Sequence, residues 1–235
     1  MSDRVLAGVA VAVVASFLVL GCVADAPDSV TSQTQRFGDI TELAAPDVTG
    51  KLPLERVLLE RRSGREFAPV DLPLATLGQL FWAGQGITDD QGHRTAPSAG
   101  ARYPLELYAV TATEVLHYLP DGHRVERRPD STTLARLGDA AFGQDYVSSA
   151  PVVLVVAGVD ARTEAEYGAL ASDFVEREAG HASQNILLQA TALDLAAAPV
   201  GGFDPTTIAR LLAFPPGHEV MYLVPVGVPE GVDGS

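Results

Sequence analysis

The chain has 235 residues, 47% hydrophobic and 20% charged, enough to bury a sizeable core and too apolar for a disordered or collagen-like chain. Its 16 basic and 30 acidic side chains leave a net charge of −14, which repels phosphate backbones and sets nucleic acid aside as a partner. The single cysteine, Cys22, excludes an internal disulfide and a cysteine-based metal site, and the single lysine, Lys51, argues against a P-loop or a Schiff-base mechanism.

The elements follow in chain order. Arg4 precedes an uncharged apolar run from Val5 to Leu20, closed by Gly21 and Cys22. A basic residue, a short apolar stretch and a small residue before a cut site make a secretory signal over 1–21. Cysteine directly after it resembles a bacterial lipoprotein signal, with Cys22 lipidated. An uncleaved anchor, or a signal removed without lipidation, is the alternative, and every version places the domain outside the cytoplasm, in the cell envelope. Residues 22–50 read as a tether and 230–235 as a disordered tail, leaving a folded unit over 51–229.

Within that unit, apolar spacing predicts helices over 54–62 and 74–84, then a loop over 88–100 rich in Asp, Gly, Ser and Pro. A strand follows over 105–110, and a hairpin turns at Pro120-Asp121-Gly122. A helix is expected over 133–142 and a fully buried strand over 151–157. One long helix should run over 164–197, then a short helix over 206–212 and a last strand over 221–226. Interleaved helices and strands give an α/β or α+β class.

Four segments hold candidate chemistry. Arg61-Arg62-Ser63-Gly64-Arg65 could wrap a phosphate, since forked guanidinium donors match its oxygens. A solvated turn paired to Glu55, Glu60 or Glu66 is the plainer reading. Pro97-Ser98-Ala99-Gly100-Ala101 has side chains small enough for backbone amides to approach a ligand, or is an ordinary turn. It lacks the first glycine of a nucleophile elbow, so Ser98 is a poor hydrolase nucleophile. Gly180-His181-Ala182-Ser183 offers a small helix surface, with His181 expected as a core or interface residue. Pro199-Val200-Gly201-Gly202 either presents N–H groups at close range or stops a helix. The five histidines show no metal-ligand spacing, so no metal is expected.

In this order the segments resemble the nitroreductase superfamily, most closely the SagB-type dehydrogenases, relatives of azoline oxidases. The resemblance spans about residues 53–228. Besides the segments above it rests on Leu80-Phe81-Trp82-Ala83-Gly84-Gln85-Gly86, Arg94-Thr95-Ala96-Pro97, Glu178-Ala179-Gly180-His181 with Gln184-Asn185, and Pro225-Val226-Gly227. It implies an α+β fold, with a mixed central sheet flanked by helices and FMN at a homodimer interface. It places Arg61, Ser63 and Arg62 on the FMN phosphate and Arg65 at the pyrimidine edge of the ring. Pro97, Ser98, Ala99 and Gly100 would line the flavin from the partner subunit, and Val200, Gly201 and Gly202 would offer N–H groups near the reactive nitrogen. The implied function is an FMN-dependent oxidoreductase moving hydride between flavin and a small or peptidic substrate. The rival is a non-catalytic flavin- or ligand-binding envelope protein on the same scaffold.

Three departures stand out. The azoline oxidases carry a Lys-Tyr pair where this chain has Glu166-Tyr167, leaving Tyr167 as the one candidate catalytic proton donor. No basic residue follows Gly227 to complete a phosphate site. The signal segment is unusual for the family, and free NAD(P)H is scarce outside the cytoplasm, so oxidation of a substrate by the flavin fits the address better.

Overall fold

Strict alternation along the central strands sends every second side chain to each face of one sheet. In β2 (Leu105–Thr111), Leu105, Leu107 and Ala109 point to one apolar cluster, while Tyr108 and Val110 point to the other. The computed structural model describes residues 37–231; the signal segment, Cys22 and its lipidation lie outside the described residues. Among those described, no helix is long and apolar enough to cross a membrane.

The remaining strands are β1 (Ile40–Glu42), β3 (Glu114–Leu119), β4 (Arg124–Pro129), β5 (Val152–Gly158), β6 (Ala196–Ala197) and β7 (Glu219–Gly227). They form a seven-stranded sheet in the order β1-β4-β3-β2-β5-β7-β6. Every strand pair is antiparallel, so the expected mixed sheet is corrected to an antiparallel one. Among the described residues, the one parallel bridge joins Ser63 and Ala197. All seven residues of β5 are buried, as its unbroken apolar run predicts for a central strand covered on both faces.

Helices α1 (Leu54–Glu60), α2 (Leu74–Gln85), α3 (Thr133–Ala140), α4 (Asp145–Ser149), α5 (Ala161–Tyr167), α6 (Ala171–Ala192) and α7 (Pro205–Leu211) complete the fold. α2 and α6 cover one face through Leu80, Phe81, Val175, Ala179 and Ile186. α3, α4 and α7 cover the other through Leu137, Val147 and Ile208. α7 starts where the sequence dictates: Asp204 accepts hydrogen bonds from the N–H groups of Thr206 and Thr207, and Pro205 occupies the first turn.

Four boundaries differ from the sequence reading. The long helix expected over 164–197 is two helices, because Gly168 adopts φ 53° and breaks the turn between α5 and α6. Beyond it, residues expected at the helix end form β6. The fold also reaches back into the supposed tether. β1 pairs with β4, and Gln79 on α2 exchanges hydrogen bonds of 2.8 and 2.9 Å with the Asp47 backbone. At the other end, the Glu230 N–H donates to the Glu66 carbonyl at 3.2 Å, so the ordered chain extends past residue 229.

Candidate active site

Two groups of predicted site residues emerge, each fixed by a different part of the scaffold. The first gathers at the β6–β7 edge. α1 stops at Glu60, and the chain then runs alongside β6, where the Gly64 N–H donates to the Ala197 carbonyl at 3.0 Å. The approach is close enough that a Cβ on Gly64 would lie 2.7 Å from that of Ala196. Glycine is therefore required there by space. After β6, Val200 exchanges both backbone hydrogen bonds with Leu223 of β7, at 2.8 and 3.0 Å. Gly201 and Gly202 then leave the sheet, exposed, and their N–H groups have no acceptor among the described residues.

The arginines of this group separate into different roles. Arg62 folds back on α1 and donates to the carbonyls of Leu59 and Arg61 at 2.9 and 2.7 Å. Through Nη1 it satisfies carbonyls at the end of the helix. Arg61 and Arg65 take part in no ion pair among the described residues, and the Ser63 hydroxyl has no hydrogen-bond partner there. The plainer reading, a turn paired to nearby carboxylates, is not what forms: Glu60 pairs with Arg56, while Glu55 and Glu66 pair with none of these arginines. Arg65 instead lies over the ring of Tyr146, 5.3 Å from its centroid.

Two further residues that the sequence reading missed belong here. The Tyr146 hydroxyl donates to Gln144 Oε1 at 2.6 Å. Gln144 Nε2 donates to the carbonyls of Gly202 and Ala141 at 2.8 and 2.7 Å. No spacing or motif marks Gln144 or Tyr146 in the sequence, because their partners lie about 60 and 80 positions away.

The second group surrounds the loop over 97–103. Glu178 of α6, only 4% exposed, accepts from the Ser98 hydroxyl at 3.0 Å and from the Ala99 N–H at 2.7 Å. Burial pushes its carboxyl above the ordinary range, against the opposing pull of those two bonds. Ser98 Oγ in turn accepts the Tyr103 N–H at 2.8 Å, a structural duty that leaves no room for a nucleophile's role. Gly100, Ala101 and Tyr103 all have positive φ, at 57°, 51° and 47°, a strained run of the kind found at functional loops. Pro97 is exposed at the start of this loop.

Tyr167 joins this second group. A Cβ on Gly100 would lie 3.0 Å from the Tyr167 hydroxyl and 2.6 Å from a Glu166 carboxylate oxygen. The Tyr167 ring packs against Phe174 at 4.7 Å. Glu166 accepts from Arg102 Nε at 2.7 Å, so its charge is neutralised locally. His181 is exposed on α6, not a core residue. No hydrogen bond or ion pair among the described residues joins the 97–103 group to the arginine–glycine group. Nor do the described residues contain a cluster of side chains able to hold a metal ion.

The first group suits a flat, phosphate-bearing anion: it holds two guanidinium groups outside any ion pair, a free hydroxyl, and two N–H donors without an acceptor on the exposed turn at 201–202, all among the described residues. The second presents small residues on a loop anchored by Glu178, with the Tyr167 hydroxyl of α5 beside it.

The sequence and the fold both have known relatives. The profile described as "Nitroreductase family" matches residues 58–228. "Putative nitroreductase MJ1384" of Methanocaldococcus jannaschii is 38% identical over 196 residues, covering 81% of this chain and 98% of that protein. Among solved structures, one of "a putative nitroreductase" from Ralstonia eutropha superposes with a TM-score of 0.72 at 28% identity, covering 82% of this chain and 90% of that one. The NADPH:FMN oxidoreductase from Vibrio harveyi, complexed with NAD+, shares the fold at a TM-score of 0.58 and 21% identity, covering 77% and 72%.

Proposed function

The chain belongs to the nitroreductase family, and from that premise we propose that it is an FMN-dependent oxidoreductase working as a homodimer. The observation behind this reading is the unpaired Arg61, Ser63 and Arg65 beside the free N–H groups of Gly201 and Gly202. Arg61 and Ser63 bind the phosphate through charge-assisted hydrogen bonds. Arg65 sets a positive charge at the pyrimidine edge, where it favours electron uptake. Gly201 and Gly202 present N–H donors where a side chain would block approach. FMN, when bound, supplies the two-electron chemistry; the protein supplies orientation and charge.

The division into two groups supports the dimer reading. One chain holds the arginine–glycine cradle and, separately, the rigid 97–103 loop with Tyr167; a second copy brings the loop of one subunit over the cradle of the other. α1 supports this with an exposed apolar face of Leu54, Leu58 and Leu59, 53–63% exposed. A cavity of about 700 Å³ beside α1, α2 and α6 continues that face. In the assembled site Tyr167 donates or holds a proton on the substrate side.

Within the family we place the chain near the SagB-type dehydrogenases. The Glu166–Arg102 pair stands where those relatives carry a lysine, so a substrate selected by that lysine is not expected here. We further assign the protein to the cell envelope, tethered by a lipid on Cys22, with flavin reduced by a small or peptidic substrate and not by free NAD(P)H. Fast bleaching of the bound flavin by NADH or NADPH would overturn that donor assignment.

The test of the whole reading is cofactor extraction. The membrane-bound protein is purified in detergent from its native membrane, heat-denatured, and the released pigment weighed by mass spectrometry. FMN is the expected mass; a colourless protein that takes up no flavin from excess FMN overturns the reading.

A further inference from the structure

We propose that Gln144 and Tyr146 are positioning residues that lock Arg65 and the Gly201-Gly202 turn into one fixed relation; the inference rests on the flavin reading above. Arg65 has no carboxylate partner among the described residues, and its direction is set by the Tyr146 ring at 5.3 Å. The difference matters chemically. A carboxylate would consume the N–H donors and cancel the charge. An aromatic face holds the guanidinium by cation–π attraction and stacking, leaving both for a ligand.

Tyr146 is itself held. Its hydroxyl donates to Gln144 Oε1 at 2.6 Å, and the amide of Gln144 spends its two N–H bonds on Gly202 and Ala141 carbonyls at 2.8 and 2.7 Å. A side-chain amide with its oxygen and both hydrogens engaged has one orientation only. It therefore fixes the tyrosine on one side and the glycine turn on the other. The turn is gripped by a carbonyl, so the N–H groups of Gly201 and Gly202 stay free. A second bond, from the Asp204 N–H to the Ala140 carbonyl at 2.8 Å, ties the same two segments. Phe142, inside the α3–α4 turn, keeps φ 58°, a conformation that costs a non-glycine residue energy and persists where neighbours over-determine the backbone. The chain Arg65–Tyr146–Gln144–Gly202 thus joins the cation to the N–H donors through one rigid relay.

The test uses full-length protein and two near-isosteric changes. Tyr146→Phe removes only the hydroxyl. Gln144→Met keeps the length of the side chain, adds no charge, and loses the bonds to Tyr146, Gly202 and Ala141. Each is made alone and in an Arg65→Ala background, with FMN affinity read by fluorescence quenching and the midpoint potential by redox titration. Each single change should weaken FMN about three- to tenfold and move the potential to more negative values. In the Arg65→Ala background Tyr146→Phe should change affinity by less than about twofold, as expected for residues acting through one partner. Wild-type affinity and potential in both single variants, or an undiminished Tyr146→Phe effect without Arg65, overturns the inference while the flavin reading stands. Failure of the wild-type protein to bind FMN overturns both. Unfolding curves on every variant separate a positioning effect, which leaves the folded fraction unchanged, from loss of structure, which counts against the proposal if it alone accounts for the weaker binding.

Discussion

Replacing Glu178 with alanine isolates what holds the 97–103 loop in place. The side chain is 4% exposed and accepts two hydrogen bonds, from the Ser98 hydroxyl and the Ala99 N–H, at 3.0 and 2.7 Å. Removing it strands both donors, and a stranded buried donor costs about 1–3 kcal/mol. The total loss should be about 2–6 kcal/mol, reduced to the extent that water enters. The loop stores strain as well, with Ala101 and Tyr103 at positive φ, and without its anchor it should relax. Urea unfolding measures the first effect and hydrogen exchange over residues 97–104 the second. A loss below about 0.5 kcal/mol, well under one stranded donor, with unchanged exchange in the loop, would refute the reasoning. Glu178→Gln sharpens the test, because glutamine keeps an acceptor oxygen and does not titrate. Burial first, against the bonds to Ala99 and Ser98, raises the Glu178 carboxyl above its ordinary 4.5. A raised carboxyl makes the folded state bind its proton more tightly than the unfolded chain. The ionised form therefore costs stability at neutral pH, and the cost disappears as pH falls through the raised value. The stability of the wild type relative to Glu178→Gln should rise over that interval; a difference that stays flat or moves the other way contradicts the assignment.

Other substitutions separate the site from the scaffold. Gly64→Ala would press a methyl group to 2.7 Å from Ala196; unfolding curves should show about 1–3 kcal/mol of destabilisation, and FMN titration a weaker complex, as the loop is pushed off β6. Ile186→Ala, at a fully buried position on α6, should cost about 2–5 kcal/mol with FMN affinity unchanged in the fraction that remains folded, as measured by titration beside an unfolding curve. Arg62→Ala should leave FMN affinity within about twofold of wild type, since its guanidinium serves the end of α1, whereas Arg61→Ala should weaken FMN by about tenfold or more, the worth of one hydrogen bond to a charged group; parallel titrations decide between them.

The fold was legible where a pattern repeats within a few residues. The unbroken apolar run of β5 announced a central strand. What escaped notice depends on distant partners. Nothing local marks β1 as a strand; it forms because β4 offers an unpaired edge. The break at Gly168 hides inside a stretch that is otherwise helical in spacing. The antiparallel direction of every strand pair is likewise a property of the connections. The site divides in the same way. The arginine cluster and paired glycines could be picked out as residue types, but only the structure shows Arg62 bonded to the end of α1. Gln144 and Tyr146 carry no sequence signal at all, since an amide becomes informative only when its partners are known. Glu178 belonged to a recognisable segment, yet its grip on Ser98 crosses 80 positions.

The most direct measurement titrates the full-length protein with FMN and, in parallel, with riboflavin, following the quenching of flavin fluorescence. The account predicts saturation at one FMN per chain and riboflavin weaker by about tenfold or more, because Arg61 and Ser63 lose the phosphate they bind. Arg61→Ala should narrow that gap. Equal affinity for the two flavins, or no quenching by either at saturating concentration, would contradict it.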